Sequence, residues 1–159
     1  QDQGTNAGIH HRPLGELGFV FAVAPHHPLA RGEEPLSDEV LLRHRAVAVA
    51  DSVSRGGGIT VGLLAGQDVF TVPTMQAKLE AQLRGLGAGF LPEPMARPHL
   101  AAGRLVAREV ARPQRLVRPA YAWRDAGGTG RALEWWLDHL ERPATRKALL
   151  QGHAGPRSA

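Results

Sequence analysis

The stretch from Phe70 to Pro92, FTVPTMQAKLEAQLRGLGAGFLP, constrains the fold of this chain more than any other. It reads as a short strand at Phe70–Val72, a Pro-Thr turn, one amphipathic helix, a Gly-x-Gly-x-Gly turn, and a second strand at Ala88–Leu91 closed by Pro92. Thr74 suits the N-cap, because its hydroxyl can accept from the free amides of a first helical turn. Met75, Leu79, Leu83 and Leu86 recur at spacings of four, four and three and mark one apolar face, which leaves Lys78, Glu80, Gln82 and Arg84 mainly on a solvated side. Gly85, Gly87 and Gly89 allow a tight reversal and a close approach to the next strand. Such a β-α-β unit presents the free N–H groups of its helix at the carboxyl end of the preceding strand, where open α/β sheets bind ligands.

Phe19–Ala24, a continuous apolar run between Gly18 and Pro25, has the pattern of a central strand. His26 and His27 form the turn after it. Adjacent histidines on an extended chain point apart and make a poor metal pair, so they read as polar loop residues. Ser37 is placed to cap a helix through Asp38–Leu42, with acids in its first turn and Arg43, His44 and Arg45 at its end. Ala46–Ala50 is another buried strand, and Asp51-Ser52 follows at its carboxyl end. Arg55-Gly56-Gly57-Gly58 lacks the Gly-Lys-Ser/Thr ending of a phosphate loop and reads as a plain loop. Ile59–Leu64 reads as a short strand or a turn. Pro94 and Pro98 confine helix to Met95–Ala96 and His99–Ala102. Leu105–Val110 and Arg118–Trp123 are two further strands. Thr129 is placed to cap a last helix, ended by Pro143, whose Leu133, Trp136, Leu137 and Leu140 form a docking stripe; Thr145–Leu150 adds at most one turn.

Composition excludes more than it assigns. With 159 residues, 43% of them apolar, the chain can bury one sizeable core or two small lobes. Without cysteine there are no disulfides and no thiolate chemistry. No apolar run approaches the ~20 residues that cross a bilayer. The formal charge of +4 arises from 19 Lys and Arg against 15 Asp and Glu, almost all arginine and scattered, with lysine only at Lys78 and Lys147; this pattern does not mark a nucleic-acid groove. Neither a Gly-x-Ser-x-Gly elbow nor a His-Glu-x-x-His helix occurs, so no catalytic residues, no cofactor and no metal site are assigned.

Three segments, in order, carry a resemblance. QAKLEAQLRGLGAGFLPEPMARPHLAAGRLV, with Gly87, Gly89, Pro92, Gly103 and Leu105 at the telling places, resembles the effector-binding domain of LysR-type transcriptional regulators. FVFAVAPHHPLA (Phe19–Ala30) is similar to that family's crossover strand and His-Pro-Leu-Ala element, and AYAWR (Ala120–Arg124) to its penultimate strand. The resemblance implies an α/β fold like the type 2 periplasmic binding proteins, with a complete second lobe plus the returning part of the first lobe. The domain would occupy 13–142, with the second lobe at about 25–92, the returning segment at about 103–142, and disordered tails at 1–12 and 152–159.

The same resemblance implies a cytoplasmic, non-enzymatic, oligomeric regulator (dimer or tetramer when full-length). A small-molecule effector bound between two α/β lobes would signal to promoter DNA through an N-terminal DNA-binding domain absent from this chain. The alternative is a solute-binding protein of the same fold used in transport, or a non-catalytic fragment. The effector site falls on Thr71, Val72, Thr74 and Met75 at the helix head and on Asp51 and Ser52 after the Ala46–Ala50 strand. Asp51 would disfavour a bare anion, which leaves the charge of the effector open. The polar face of Met75–Leu86 is the expected dimer surface. As a truncated chain it would leave Leu105–Val110 and Arg118–Trp123 unpaired and the stripe of the last helix uncovered.

Overall fold

A computed structural model describes residues 8–50, 63–112, 116–124 and 130–151. The chain divides into a central unit, Gly18–Arg115, and a terminal unit built from Gln1–Leu17 and Leu116–Ala159.

In the central unit, strand β2 (Leu17–Val23) lies between two antiparallel neighbours. These are β5 (Gly89–Pro92), in the register Phe19↔Pro92 to Ala22↔Gly89, and β6 (Val106–Arg108), in the register Phe21↔Arg108 to Val23↔Val106. Strands β3 (Ala46–Val49) and β4 (Val69–Val72) pair in parallel, from Ala46↔Val69 to Val49↔Val72. A parallel bridge, Ala46↔Ala88, places β5 beside β3, with Val47 N donating to Ala88 O at 2.9 Å and Ala88 N to Arg45 O at 3.0 Å. The strands therefore follow one another as β4, β3, β5, β2, β6. Both faces of β2 are covered, as its unbroken apolar run requires. Phe21 and Val23 pack with Leu29, Leu36, Leu41, Ala88 and Phe90 on one side, and Ala22 with Leu79, Leu91, Ala96 and Leu105 on the other.

Local signals set the first helix. Ser37 Oγ accepts from Val40 N at 3.3 Å and starts α1 (Asp38–Leu42). His27 does lie in the turn after β2. It is buried, and its Nδ1 accepts from Leu29 N at 3.1 Å, capping the 3-10 turn Pro28–Ala30.

The expected strand, helix and strand around the glycines are present: β4, then α2 (Met75–Leu83), then β5. Beyond α2, Gly85 adopts φ +73°, and its N–H and that of Leu86 donate to Gln82 O and Ala81 O, both at 3.0 Å. This left-handed cap satisfies the last carbonyls of the helix and takes Leu86 off the helical face, where it is exposed. The buried side of α2 consists of Lys78, Leu79, Ala81 and Gln82, so Lys78 and Gln82, expected in solvent, are instead inside. Gly87 closes the turn: a Cβ there would lie 2.8 Å from Val47 Cγ2 and 2.9 Å from Arg45 O.

Three further expectations are corrected. A single helix, α3 (Glu93–Ala101), runs through Pro98. Pro94 sits in the first turn, where its missing N–H is not needed, and Pro98 forfeits one bond, offset by burying Ala96 completely against Leu79 and Leu91. The strand expected at Leu105–Val110 is shorter and is not left unpaired, since β6 pairs with β2. In the terminal unit, Ile9–Pro13 is not frayed but forms strand β1, antiparallel to β8 (Ala120–Arg124) from Ile9↔Arg124 to Pro13↔Ala120. The strand expected at Arg118–Trp123 begins only at Ala120, after Pro119, and Leu116–Val117 before it is the separate two-residue strand β7.

Helix α4 (Arg131–Glu141) starts at Gly130, and Thr129 lies outside the described residues. Past it, Pro143 opens a nine-residue helix, α5 (Pro143–Gln151), rather than ending regular structure. The carboxylate of Glu141 gathers Arg12, Tyr121 and Arg146, each at 2.7 Å, and so ties β1, β8 and α5 to α4. Those hydrogen bonds, Arg12 first, hold the Glu141 carboxyl below its ordinary range.

Candidate functional site

The helix head is built by four consecutive events. Strand β4 ends at Val72, which is buried, Pro73 turns the chain, and Thr74 takes an extended conformation (φ −138°, ψ 162°). Thr74 Oγ1 then accepts from Ala77 N at 3.1 Å. Thr71 and Thr74 are exposed, whereas Met75 is half-buried against Ala22, Leu79 and Leu91. Four expected site residues thus lie together: Thr71, Val72, Thr74 and Met75. Asp51 and Ser52 lie outside the described residues. The strand that leads to them ends at Val49, paired with Val72, so β3 and β4 finish at the same edge of the sheet. N–H groups at a helix start are free of helical partners and carry the positive end of the helix dipole, so this edge suits an electron-rich group.

Sequence reasoning missed what lies beneath. Lys78 is only 6% exposed, and burial brings its pKa down to about 8. One turn on, Gln82 is fully buried and its Nε2 donates to Ala22 O at 2.8 Å and to Gly89 O at 3.1 Å, while its Oε1 is buried without a hydrogen-bond partner. Gly89 makes the room. Lys78 Cε and Gln82 Oε1 lie 3.2 Å and 3.3 Å from the point a Cβ on Gly89 would occupy. The available signal was a lysine and a glutamine at i, i+4 followed by a glycine inside an apolar strand.

The central unit also has a cavity of about 550 Å³ lined by Phe19, Phe21, Phe90, Arg108 and Arg112 among others. Its two arginines are committed. Arg112 makes a two-pronged pair with Asp38 at 2.7 and 2.8 Å, which holds the Asp38 carboxyl below its usual range. Arg108 donates to Ala30 O at 3.1 Å and Gly32 O at 2.8 Å and lies 3.0 Å from Glu34. Among the described residues no group of His, Asp and Glu side chains has a metal-binding arrangement, and no helix is long and apolar enough to cross a membrane.

Comparison with known proteins places this geometry. The family described as LysR substrate binding domain matches residues 1–144. YeeY of Escherichia coli, an HTH-type transcriptional regulator, is 41% identical over 127 residues, which is 80% of this chain and 41% of that protein. The transcriptional activator AllS of Klebsiella pneumoniae is 43% identical over 95 residues, 60% of this chain and 35% of that protein. The chain therefore spans about two fifths of the length of these relatives, which are named as regulators and not as transport proteins. Among solved structures, the regulatory domain of MetR from N. meningitidis superposes with a TM-score of 0.66 at 18% identity over 92% of this chain and 68% of that one. Full-length LysG from Corynebacterium glutamicum gives 0.62 at 22% identity over 87% and 46%. The fold is accordingly the periplasmic-binding-protein-like α/β fold of such regulatory domains. This chain belongs to the LysR substrate-binding-domain family.

Proposed function

We propose that this chain is the effector-sensing part of a cytoplasmic, oligomeric transcriptional regulator and that its effector is a small molecule held at the head of α2. On this reading Thr71, Thr74 and Met75, with Val72 behind them, form the contact surface, together with Asp51 and Ser52. Occupancy then biases contact with promoter DNA made by a helix-turn-helix segment, the kind of segment for which the relatives are named. No step of catalysis is required. Two proteins of the same fold have been solved with small molecules bound: LysG of Corynebacterium glutamicum with its effector Arg, and QuiR with shikimate.

The observation that carries this reading is the exposed, Thr74-capped helix start at the edge where β3 and β4 both end. A thermal-shift screen of metabolites against the chain tests it, because a ligand that binds only the folded state raises the melting temperature. We expect saturable stabilisation by a small set of related compounds, weakened at least several-fold by Thr74→Asn, which keeps a helix cap but replaces the hydroxyl. Unchanged affinity in that variant removes Thr74 from the site, and a screen in which nothing stabilises the chain removes the reading.

A further inference from the structure

The rings that line the cavity of about 550 Å³ lie on the face of the sheet opposite α2. Side chains alternate along β2, so Phe21 faces one way and Ala22 the other, and it is Ala22 that packs with Leu79 of α2. Phe19 shares the side of Phe21. Phe90 and Arg108 stand opposite Phe21 on its two flanks, and the Phe21 and Phe90 rings meet edge to face, 5.3 Å between centroids. The floor is thus a row of Phe90, Phe21 and Arg108 with Phe19 beside it. The chain has four phenylalanines, and three of them meet here; the fourth, Phe70, is on β4 and does not line the cavity. Close packing leaves few voids larger than a water molecule, whereas this one has the size of a small-molecule pocket.

The groups around the rings decide the charge of an occupant. Arg112 is held by Asp38. Arg108, its side chain only 10% exposed, donates to Ala30 O and Gly32 O and stands 3.0 Å from Glu34. Two guanidinium groups are therefore neutralised by two carboxylates. An organic anion would have to displace one of those carboxylates, and an organic cation would meet two arginines that cannot lose their charge. An uncharged aromatic molecule does neither, and its ring packs on the phenylalanines. Glu109 is exposed, and its N–H donates to Glu34 Oε1 at 3.0 Å, which leaves Oε2 of that carboxylate to accept from a hydroxyl or ring N–H.

We propose that this cavity is a second small-molecule site, separate from the head of α2, and that it takes a compact uncharged aromatic molecule with one hydrogen-bond donor, such as a phenol or an indole. Glu34 is its specificity determinant: by neutralising Arg108 it denies aromatic acids a counter-charge. The proposal does not rest on the reading of the α2 head.

Para-fluorophenylalanine labelling gives four fluorine NMR signals, three from the cavity and one, Phe70, as an internal control. The probes are phenol and indole, with benzoate and benzylammonium as charged counterparts at neutral pH. We expect phenol or indole to shift the Phe19, Phe21 and Phe90 signals saturably while Phe70 stays in place, and both charged counterparts to bind about tenfold or more weakly. Glu34→Gln keeps the shape but leaves Arg108 without its counter-charge, and should gain about tenfold in affinity for benzoate. Phe19→Leu, which removes a half-buried ring, should weaken phenol several-fold, and Thr74→Asn should leave it unchanged.

Cavity signals that neither phenol nor indole moves, or that move only together with Phe70, overturn the proposal. So does a parent chain that binds benzoate or benzylammonium as tightly as phenol, a Glu34→Gln chain that gains nothing toward benzoate, or unchanged phenol affinity in Phe19→Leu. Loss of phenol binding in Thr74→Asn overturns it as well, because the molecule then sits at the head of α2.

Discussion

A proton on Lys78 is opposed by folding. Burial holds its pKa near 8, against 10.5 for a solvated lysine, so between those values the unfolded chain binds a proton that the folded chain does not. Stability therefore rises with pH from about 8 to about 10.5, and the penalty is present in full below pH 8. A shift of this size corresponds to on the order of 3 kcal/mol. Lys78→Met should be more stable than the parent by up to that amount at neutral pH, with the gap closing as pH rises, read by urea unfolding at a series of pH values. A gap independent of pH would mean that the amine is hydrated.

His27 behaves in the same sense, over a lower pH range. Its pKa lies below 6.5, chiefly through burial and then through His44 and His26, and only the unprotonated Nδ1 can accept from Leu29 N. The folded chain thus holds fewer protons than the unfolded one as pH falls through 6.5. The stability of this cap is present above that pH and lost below it. His27→Asn, a cap that does not titrate, should flatten the acid side of a melting-temperature profile. Both side chains show where the sequence stops being legible. The caps at Ser37 and Thr74 can be read directly, because each bond spans three residues. The burial of Lys78 and Gln82 cannot, because it depends on Gly89 and on a bond from Gln82 to Ala22, sixty residues away.

At the scale of elements, the strand-helix-strand unit was legible because turn chemistry and an apolar run fix it locally. Its packing was not. The spacing of Met75, Leu79, Leu83 and Leu86 centred the apolar face too far round the helix, since the left-handed cap at Gly85 ends α2 at Leu83. The continuous helix through Pro98 escaped notice for a related reason: tertiary burial of Ala96 outweighs one lost backbone bond. The turn itself is intolerant of a side chain. Gly87→Ala would place a methyl group 2.9 Å from the main-chain Arg45 O and 2.8 Å from Val47 Cγ2, and the backbone partner cannot swing aside. We expect a loss of about 1–3 kcal/mol, measured by chemical denaturation. Parent-like stability would mean that β3 and β5 can separate without cost.

Taken as a whole, the molecule is unevenly stabilised. Every buried residue among those described lies in the central unit, while the terminal unit presents Ile9, Leu116, Trp135, Trp136 and Leu149 to solvent. Its pairing of β1 with β8 was not legible, because the polar start of the chain shows no periodicity and acquires its structure from a partner more than a hundred residues away. Large exposed apolar groups favour association. We expect the chain to bind a hydrophobic dye and to self-associate with rising concentration in light scattering, and a monodisperse monomer at high concentration would contradict this.

The three tryptophans, Trp123, Trp135 and Trp136, all belong to this same terminal unit, whereas the head of α2 is in the other. Intrinsic fluorescence therefore reports on the terminal unit by itself. An emission transition on denaturation that does not coincide with the loss of circular dichroism would be a direct optical record of that unit unfolding on its own.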